Sequence, residues 1–407
     1  MSEVVSFPAI GLELNINRVA FSIGSFPVYW YGILIATGLF LAVLTALWLA
    51  PDFGLDADRL MDVVMVGTVC AVICARAYYV IFSPVPYESF AAMLDIRQGG
   101  LAIYGGVIGA AVFGALACKW RKLPLLPTFD LVGIGFFIGQ CIGRWGNFFN
   151  QEAFGCNTTL PWGMYSAQTA RYLASQQTVL AQQGVFVDPS APVHPTFLYE
   201  SLWCLAGLGL LLWQMKKRKF HGQLALLYVM WYGAGRFWIE GLRTDSLMLP
   251  VGGLRVSQLL ALVSVVVAAV VFVLALRRSK GVQLMVELPA AQQARQCLSQ
   301  AVQAHEKKLK AAGIALPELP LTQSLPANAS HSQFAAAQAE LKAFDGEAFV
   351  AQHLEMAAEM LESVRQENNR FAQLPNQEEH PTGKNCQLTA GLDADLDADL
   401  REELEEG

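Results

Sequence analysis

Long apolar runs dominate this sequence and constrain its fold more than any other feature. A helix needs about 20 predominantly apolar residues to cross the hydrocarbon core of a bilayer, and seven runs before residue 281 approach that length. We therefore predict an all-α polytopic membrane protein with seven transmembrane helices. The predicted spans are Tyr29–Ala50, Leu60–Phe82, Leu101–Cys118, Phe129–Phe149, Thr196–Gln214, Leu224–Leu242 and Val256–Leu276.

The distribution of charge separates a membrane part from a polar tail. The 407-residue chain is 15% charged, whereas a soluble protein carries about a quarter charged residues. Residues 281–407 nevertheless hold nine basic and twenty acidic side chains. We predict a membrane domain at 1–280 and an acidic, Ala/Gln-rich tail at 281–407 that is partly helical or disordered. Within the tail, Ala290–Ala312 and Gln333–Phe371 have the composition of amphipathic or Ala-rich helices.

Basic residues cluster in alternate loops between the apolar runs. The clusters lie at 119–122, 216–219 and 277–280, after the third, fifth and seventh runs. Because short cytoplasmic loops carry the excess of lysine and arginine, we predict that the amino terminus lies outside and the tail in the cytoplasm. The polar loop 150–195 then lies outside the cell membrane, as an external domain or a lid.

Polar residues within and beside the apolar runs fall at one depth. Successive spans alternate in direction and a helix rises 1.5 Å per residue, so the distance from the outer end of a span gives the depth of a residue. All seven spans place polar side chains near the outer surface. These residues are Tyr31, Arg76, Tyr104, Arg144, Asn147, Asn150, Glu152, His194, Glu200, Arg236, Glu240, Arg243 and Gln258.

Three of them are arginines within spans, where an arginine costs about 2.5–3.5 kcal/mol on insertion scales. One explanation is structural, because Arg76 and Arg236 can reach the membrane surface or pair with a carboxylate. The carboxylates at this depth are Glu200 and Glu240. The other explanation is an anionic phospholipid headgroup, since a guanidinium binds phosphate through two parallel donors. Both stay open for Arg76, whereas the glycine-rich polar motifs around Arg144 and Arg236 favour the phospholipid.

Several reaction and partner classes lack their sequence signatures. The chain contains no HExxH metal motif, no paired aspartate motif on the external side and no GxSxG nucleophile elbow. It also has no basic patch of the kind that binds nucleic acid. We therefore expect no metal and no nucleic-acid partner.

One segment carries a specific resemblance. Gly143–Gly155 reads GRWGNFFNQEAFG and resembles the signature GRxGNFxNxExxG of the bacterial phosphatidylglycerol–prolipoprotein diacylglyceryl transferase family. Further motifs of that family match, in order, along residues 10–280. They are Trp30–Gly32, Arg76 with Tyr79, Gly99–Gly106, Asp130, His194–Glu200, Tyr232–Arg236, Glu240, Arg243 and Ser257–Gln258.

The resemblance implies a seven-helix core in the bacterial cytoplasmic (inner) membrane, with a site open to the outer leaflet. The implied reaction transfers the diacylglyceryl group of phosphatidylglycerol to the lipobox cysteine that follows a preprolipoprotein signal peptide. Its products are a thioether-linked diacylglyceryl protein and glycerol phosphate. The implied partners are a membrane lipid and a preprolipoprotein, without a metal or cofactor.

The resemblance also implies roles for individual residues. Arg144 and Arg236 hold and neutralise the phosphate. Tyr31, Tyr104 and Asn147 complete the predicted catalytic set. The remaining predicted substrate-binding residues are Asn150, Glu152, Gly155, His194, Glu200, Glu240, Arg243 and Arg76.

Tyr104 departs from the family pattern, in which a histidine, often proposed as the base, occupies this place. A phenol has a pKa of about 10 and is a poor base at neutral pH unless nearby cations lower that pKa. Either Tyr104 is activated, or His194 supplies an imidazole, or the family's base assignment is wrong. We favour a hydrogen-bonding role for Tyr104 and leave the base open.

Two other functions fit the same polar layer. A lipid transporter or flippase would show an internal repeat and polar residues throughout the membrane, and neither is evident in the sequence. An inactive scaffold would have lost catalysis through the tyrosine at position 104, and its function would reside in the tail. The intact set of Arg144, Asn147 and Arg236 argues against that scaffold.

Overall fold

The computed structural model of this chain describes residues 3–83, 87, 89–95, 99–182, 184–244, 255–279, 283–315 and 318–372. Lys280, the last residue of the third basic cluster, lies outside the described residues, as does the predicted domain boundary beside it. The part of the tail after residue 372 also lies outside them.

Helices account for most of the described residues. The α-helices are α1 (Trp30–Leu49), α2 (Ala57–Ile81), α3 (Phe90–Leu94), α4 (Ile103–Trp120), α5 (Leu125–Asn150), α6 (Ala167–Gln182), α7 (Thr196–Met215), α8 (Gln223–Glu240), α9 (Val256–Arg278), α10 (Pro289–Ala304), α11 (Glu306–Ala311), α12 (His331–Lys342) and α13 (Gly346–Ala372). The strands are β1 (Glu3–Phe7), β2 (Leu12–Ile16), β3 (Val19–Ile23), β4 (Phe26–Tyr29), β5 (Tyr165–Ser166), β6 (Met285–Glu287) and β7 (Ser324–Pro326).

Six of the described helices are long and apolar enough to cross a membrane: α1 with the short turn that follows it, α2, α4, α5, α7 and α9. Each overlaps a predicted span, and the largest displacement of an end is four residues, from Phe129 to Leu125 in α5. The remaining predicted span coincides with α8, which is not among the six. α8 has 18 residues and contains Arg236 and Glu240, so its apolar character is weaker.

The long apolar helices and α8 pack in close pairs, α1 with α5, α2 with α4, and α8 with α9. Glycines allow the closest approaches. A Cβ atom on Gly38 of α1 would lie 3.2 Å from the Cα of Gly139 in α5, and one on Gly109 of α4 would lie 2.5 Å from the Cβ of Cys74 in α2. Small residues let helix backbones approach in membranes. This packing fixes α5, which carries the GRWGNFFN motif, against α1.

The amino-terminal residues form strands, which the all-α expectation did not include. β1 pairs antiparallel with β2 and with β5, and places Val5 opposite both Leu14 and Ser166. Val5 and Phe7 are buried whereas Val4 is 52% exposed, which is the two-residue period of a strand with one buried face. The loop 150–195 therefore contains α6 and β5, and its strand joins the amino-terminal hairpin in one sheet.

The chain divides into two compact units. The first comprises Met1–Val286 together with Leu325–His331, and the second comprises Glu287–Ser324 together with Ser332–Gly407. In the second unit α10 packs against α13. Helices α10 to α13 largely coincide with the two stretches of the tail for which the sequence predicts helix.

Candidate active site

Three arginines converge on one buried carboxylate, Glu200, in the first two turns of α7. Glu200 is 5% exposed. Arg144 of α5 forms an ion pair with its Oε2 atom. The Nη1 atoms of Arg236, on α8, and Arg243, just beyond α8, lie 3.6 Å and 3.8 Å from its Oε1 atom. The structure thus brings together residues that the sequence placed only at a common depth.

A second carboxylate balances part of this charge. Glu240 lies one helical turn after Arg236, and its Oε2 atom is 2.8 Å from Nη2 of that arginine. Among the described residues, these ion pairs join three arginines to two glutamates, whose charges sum to one positive charge. The side chains of Arg144 and Arg236 are 19% and 24% exposed, so a ligand can reach them. A phosphodiester, with its single negative charge, would neutralise the cluster.

The end of α5 carries a second polar group, made by two asparagines and a glutamate. The amides of Asn147 and Asn150 donate to Oε1 of Glu152, at 3.0 Å and 3.3 Å. The chain turns back here because Gln151 and Ala153 both have positive φ, at 51° and 56°. Such a backbone is uncommon in residues other than glycine and is found more often at functional sites.

Tyr31, the second residue of α1, lies against the last turns of α5. Its ring packs on Gly146, where a Cβ atom would lie 2.6 Å from Cδ2 of the tyrosine. Only glycine permits this approach. From this position the phenol lies within electrostatic range of both Glu152 and Arg144.

Gly155 joins the loop 150–195 to the ends of α7 and α8. Its N–H donates to the carbonyl of His194 at 2.9 Å, and the N–H of Cys156 donates to the carbonyl of Leu242 at 2.7 Å. A Cβ atom on Gly155 would lie 2.7 Å from the Cβ of His194. This close crossing positions Arg243, whose backbone forms an isolated antiparallel β-bridge with Gly155, within the cluster.

His194 lies next to the cluster rather than within it. Its Nδ1 atom is 3.1 Å from the hydroxyl of Tyr199, and Nε1 of Trp162 donates to the same hydroxyl at 2.8 Å. Burial lowers the pKa of His194, which favours the neutral imidazole at neutral pH.

Neither Arg76 nor Tyr104 takes part in the ion pairs described above for Glu200 and Glu240. Arg76 donates to the backbone carbonyls of Ala92, Met93, Gly99 and Gly100 at 2.7–3.1 Å. Its described partners are therefore carbonyls, and not the glutamates that the structural explanation proposed for it. These hydrogen bonds fix the turn at Gly99 and Gly100 that leads into α4. Tyr104, at the second position of α4, is 54% exposed.

The comparisons with known proteins identify the family. A family model described as prolipoprotein diacylglyceryl transferase matches residues 18–274, which is more than half of the chain. The chain belongs to the prolipoprotein diacylglyceryl transferase family. The resemblance of the GRWGNFFNQEAFG segment is thereby confirmed.

Relatives of this family member carry the corresponding name. It is 42% identical over 272 residues to the phosphatidylglycerol–prolipoprotein diacylglyceryl transferase of Bacillus cereus, an alignment that covers 66% of this chain and 94% of the relative. The Bacillus mycoides protein of the same name is 41% identical over 277 residues, covering 67% and 96%. That of Bacillus anthracis is 42% identical over 277 residues, with the same coverage.

Four side chains that we did not predict as site residues form hydrogen bonds beside the cluster of this transferase. Gln140, one turn before Arg144, donates to the hydroxyl of Tyr228 at 2.8 Å. Trp145 donates from Nε1 to Oγ of Ser201 at 3.2 Å. Three of them lie beside Arg144 or Glu200 in the sequence, which is the signal that could have found them. Among the described residues, no three His, Cys, Asp or Glu side chains are arranged to hold a metal ion.

Proposed function

We propose that this chain transfers the diacylglyceryl group of phosphatidylglycerol to the thiol of a lipobox cysteine in a preprolipoprotein. The reaction forms a thioether and releases glycerol phosphate. The observation that carries the proposal is the convergence of three arginines on Glu200 with one net positive charge. This cluster lies within the residues that match the family model.

The proposed step is a displacement at a glycerol carbon. The cysteine sulfur forms the new C–S bond while the carbon–oxygen bond to the phosphate breaks, and the phosphate leaves with that electron pair. Negative charge grows on the leaving phosphate in the transition state. Arg144 and Arg236 would bind that phosphate, so their interaction strengthens as the reaction proceeds and lowers the barrier.

The same charge favours the thiolate of the incoming cysteine. A free thiol has a pKa of about 8.5, and a nearby positive field lowers it. The proton then leaves to water or to a base at the site. Tyr104 and His194 are both candidates for that base. In addition, the amide pair of Asn147 and Asn150 orients Glu152 at the end of α5, and Tyr31 lies between this group and Arg144.

The glutamates have a positioning role in this proposal. Glu200 holds arginines from α5, from α8 and from the turn after α8, and Glu240 holds Arg236 from one turn away on the same helix. Fixed donors need little reorganisation when charge develops at the reacting centre. Gly155 and His194 keep Arg243 in place. Arg76 fixes the backbone that precedes α4 through its hydrogen bonds to carbonyl groups.

The direct test uses purified protein, phosphatidylglycerol and a synthetic lipobox peptide. We expect the peptide mass to increase by one diacylglyceryl group, with release of one glycerol phosphate per adduct. A peptide with serine in place of the lipobox cysteine is the matched control and should stay unmodified. Lipid binding or lipid movement between leaflets, without any peptide adduct, would instead support the transporter or scaffold alternative.

We also propose that α8 crosses the membrane in addition to the six candidate spans, which gives seven spans. The amino terminus and the loop 150–195 then lie outside, and the tail from about residue 281 lies in the cytoplasm. The basic clusters support this orientation. A cysteine introduced at Gln182, in the loop, should react with a membrane-impermeant thiol reagent in intact spheroplasts, whereas one introduced at Ser363, in the tail, should react only after lysis. The parent protein gives the background labelling. Tail labelling from outside would reverse the orientation.

Tyr104 should act through a hydrogen bond and not as the base. We expect Tyr104→Phe to lower the transfer rate by about 10- to 100-fold and to leave the pH–rate profile unchanged. Loss of a general base would cost about 10²- to 10⁴-fold and remove the rising limb of the profile. Steady-state rates of both proteins between pH 6 and pH about 10 separate the two roles. Restored activity in Tyr104→His, with a rising limb near about 6.5, would identify the tyrosine as the base.

A further inference from the structure

A basic cavity of about 570 Å³ lies in the first unit, where α7 and α9 end. Its lining includes five cationic side chains, those of Lys216–Lys219 and Arg277, together with the polar side chains of Ser279, Gln283 and Asn328. None of the described residues that line it is acidic. Glu200 lies near the other end of α7, about 24 Å from Lys216 at 1.5 Å per residue. The cavity is therefore distinct from the candidate active site.

One wall of the cavity is built by chain beyond the family match, which ends at residue 274. The N–H of Ala327 donates to the carbonyl of Leu284 at 2.9 Å, and Nε2 of Gln283 donates to Oδ1 of Asn328 at 3.2 Å. Lys216 donates from Nζ to the carbonyl of Ala329 at 2.7 Å. The segment Leu325–His331 thus closes a site against the ends of the membrane helices.

Arg218 is the most buried of the five cations that line this cavity. It is 4% exposed, and its Nη2 atom donates to the backbone carbonyl of Asp52 at 2.6 Å. Its Nε and Nη1 atoms are also buried, and they have no hydrogen-bond partner among the described residues. Burial lowers the pKa of Arg218 to about 10, so the guanidinium stays charged at neutral pH. Buried donors of this kind normally have a partner.

Ordinary causes explain only part of this charge. Cations favour helix carboxyl ends and cytoplasmic loops, and Lys216 forms an ion pair with Asp52 at 3.0 Å. The carboxylate of Asp52 is shared with His331, whose Nδ1 atom lies 2.8 Å from its Oδ1 atom. The guanidinium of Arg218 packs on the ring of Phe53, 3.8 Å from its centroid. The exposed cations Lys217, Lys219 and Arg277 line the cavity, and the described lining contains no acidic residue to balance them. An anion in the cavity would neutralise part of this charge.

We propose that this cavity binds the phosphate of an anionic phospholipid from the leaflet that the ends of α7 and α9 reach. Both helices are candidate membrane spans that end at the cavity. The neighbouring surface is apolar and exposed, with Leu212 at 42%, Trp213 at 59% and Leu274 at 50%, so acyl chains can lie beside it. Arginine binds phosphate through two parallel donors, and basic pockets at a cytoplasmic membrane surface are typical sites for anionic headgroups.

The test compares two charge-matched triple variants of the full chain. Lys217→Gln/Lys219→Gln/Arg277→Gln removes three exposed cations that line the cavity. Lys119→Gln/Lys122→Gln/Arg278→Gln removes three cations from loops and helix ends on the same face that do not line it. Native mass spectrometry of the detergent-solubilised proteins counts bound dioleoyl phosphatidylglycerol across a lipid titration, with phosphatidylcholine as the zwitterionic probe.

We expect the wild-type protein and the control to retain one more phosphatidylglycerol than the cavity variant, whose affinity for it falls about 10- to 100-fold. Phosphatidylcholine should show no such difference, and millimolar inorganic phosphate should not displace the lipid. Equal retention by the two variants would overturn the proposal. Displacement by inorganic phosphate would also overturn it and assign the cavity to a soluble phosphate.

Two further measurements distinguish a failure of this lipid-site proposal from a failure of the proposed transferase function. The cavity variant should keep wild-type transfer to the lipobox peptide, because the cavity and Glu200 lie at opposite ends of α7. The lipid count remains readable even if no protein forms an adduct. Thermal unfolding in phosphatidylcholine checks the fold. If the triple variant unfolds early, the single variant Arg277→Gln, compared with Arg278→Gln, should lose the extra lipid by itself.

Discussion

Replacing Arg144 or Arg236 by lysine should lower diacylglyceryl transfer by about 10²- to 10³-fold, the usual effect of losing a preorganised donor to developing charge. Lysine keeps the positive charge but loses the planar pair of donors that matches a phosphate. Each arginine also uses that geometry to contact Glu200 from a different helix. We therefore expect lysine to be nearly as damaging as alanine at both positions.

The measurement is the initial rate of adduct formation on the lipobox peptide at several phosphatidylglycerol concentrations. Arg171→Lys is the matched control, because the side chain of Arg171 lies in the loop 150–195 and is 74% exposed. It should retain the wild-type rate. Wild-type rates in the two site variants would mean that these arginines act as general counter-charges without a specific contact to phosphate.

The sequence predicted the membrane helices well because lipid imposes a simple requirement on them. Every backbone polar group in a bilayer must be satisfied within the helix, so a long apolar run becomes a helix whatever its neighbours are. α7, for example, begins at Thr196 as predicted and ends one residue later than predicted. α8 is the predicted span that is not among the six candidate membrane helices. It contains Arg236 and Glu240 of the polar cluster, and these charged residues lower its hydropathy.

Contacts between distant segments could not be predicted from local patterns. The pairing of Val5 with Ser166 joins two regions that have the five helices α1 to α5 between them, and no local period specifies it. The depth argument placed Arg144, Glu200 and Arg236 in one layer but did not say which would touch. Arg76 lies at a similar depth, yet its donors contact carbonyls near the start of α4. The functional roles of all these residues remain predictions.

Glu200 should be the residue whose loss affects both folding and activity. It is 5% exposed and is the carboxylate that holds Arg144, Arg236 and Arg243 together. Removing one partner of a buried ion pair costs about 3–5 kcal/mol, because the remaining charge is left without compensation. We expect Glu200→Ala to lower the free energy of unfolding by that amount and to abolish measurable transfer.

Glu200→Gln distinguishes a positioning role from a purely structural one, because the amide keeps the shape of the side chain and removes only its charge. Of the ion pairs described above, the one between Arg236 and Glu240 would then remain, and the net charge of the cluster would rise by one positive charge. Phosphatidylglycerol should still bind, but the arginines would no longer be fixed on the leaving phosphate. We therefore expect kcat to fall at least about 100-fold while KM for the lipid stays the same or decreases, the pattern of an interaction needed in the transition state.

Glu13→Gln, at an exposed position of β2, is the control and should change neither constant. A rise in KM at constant kcat in Glu200→Gln would show instead that the glutamate contributes only to binding the lipid.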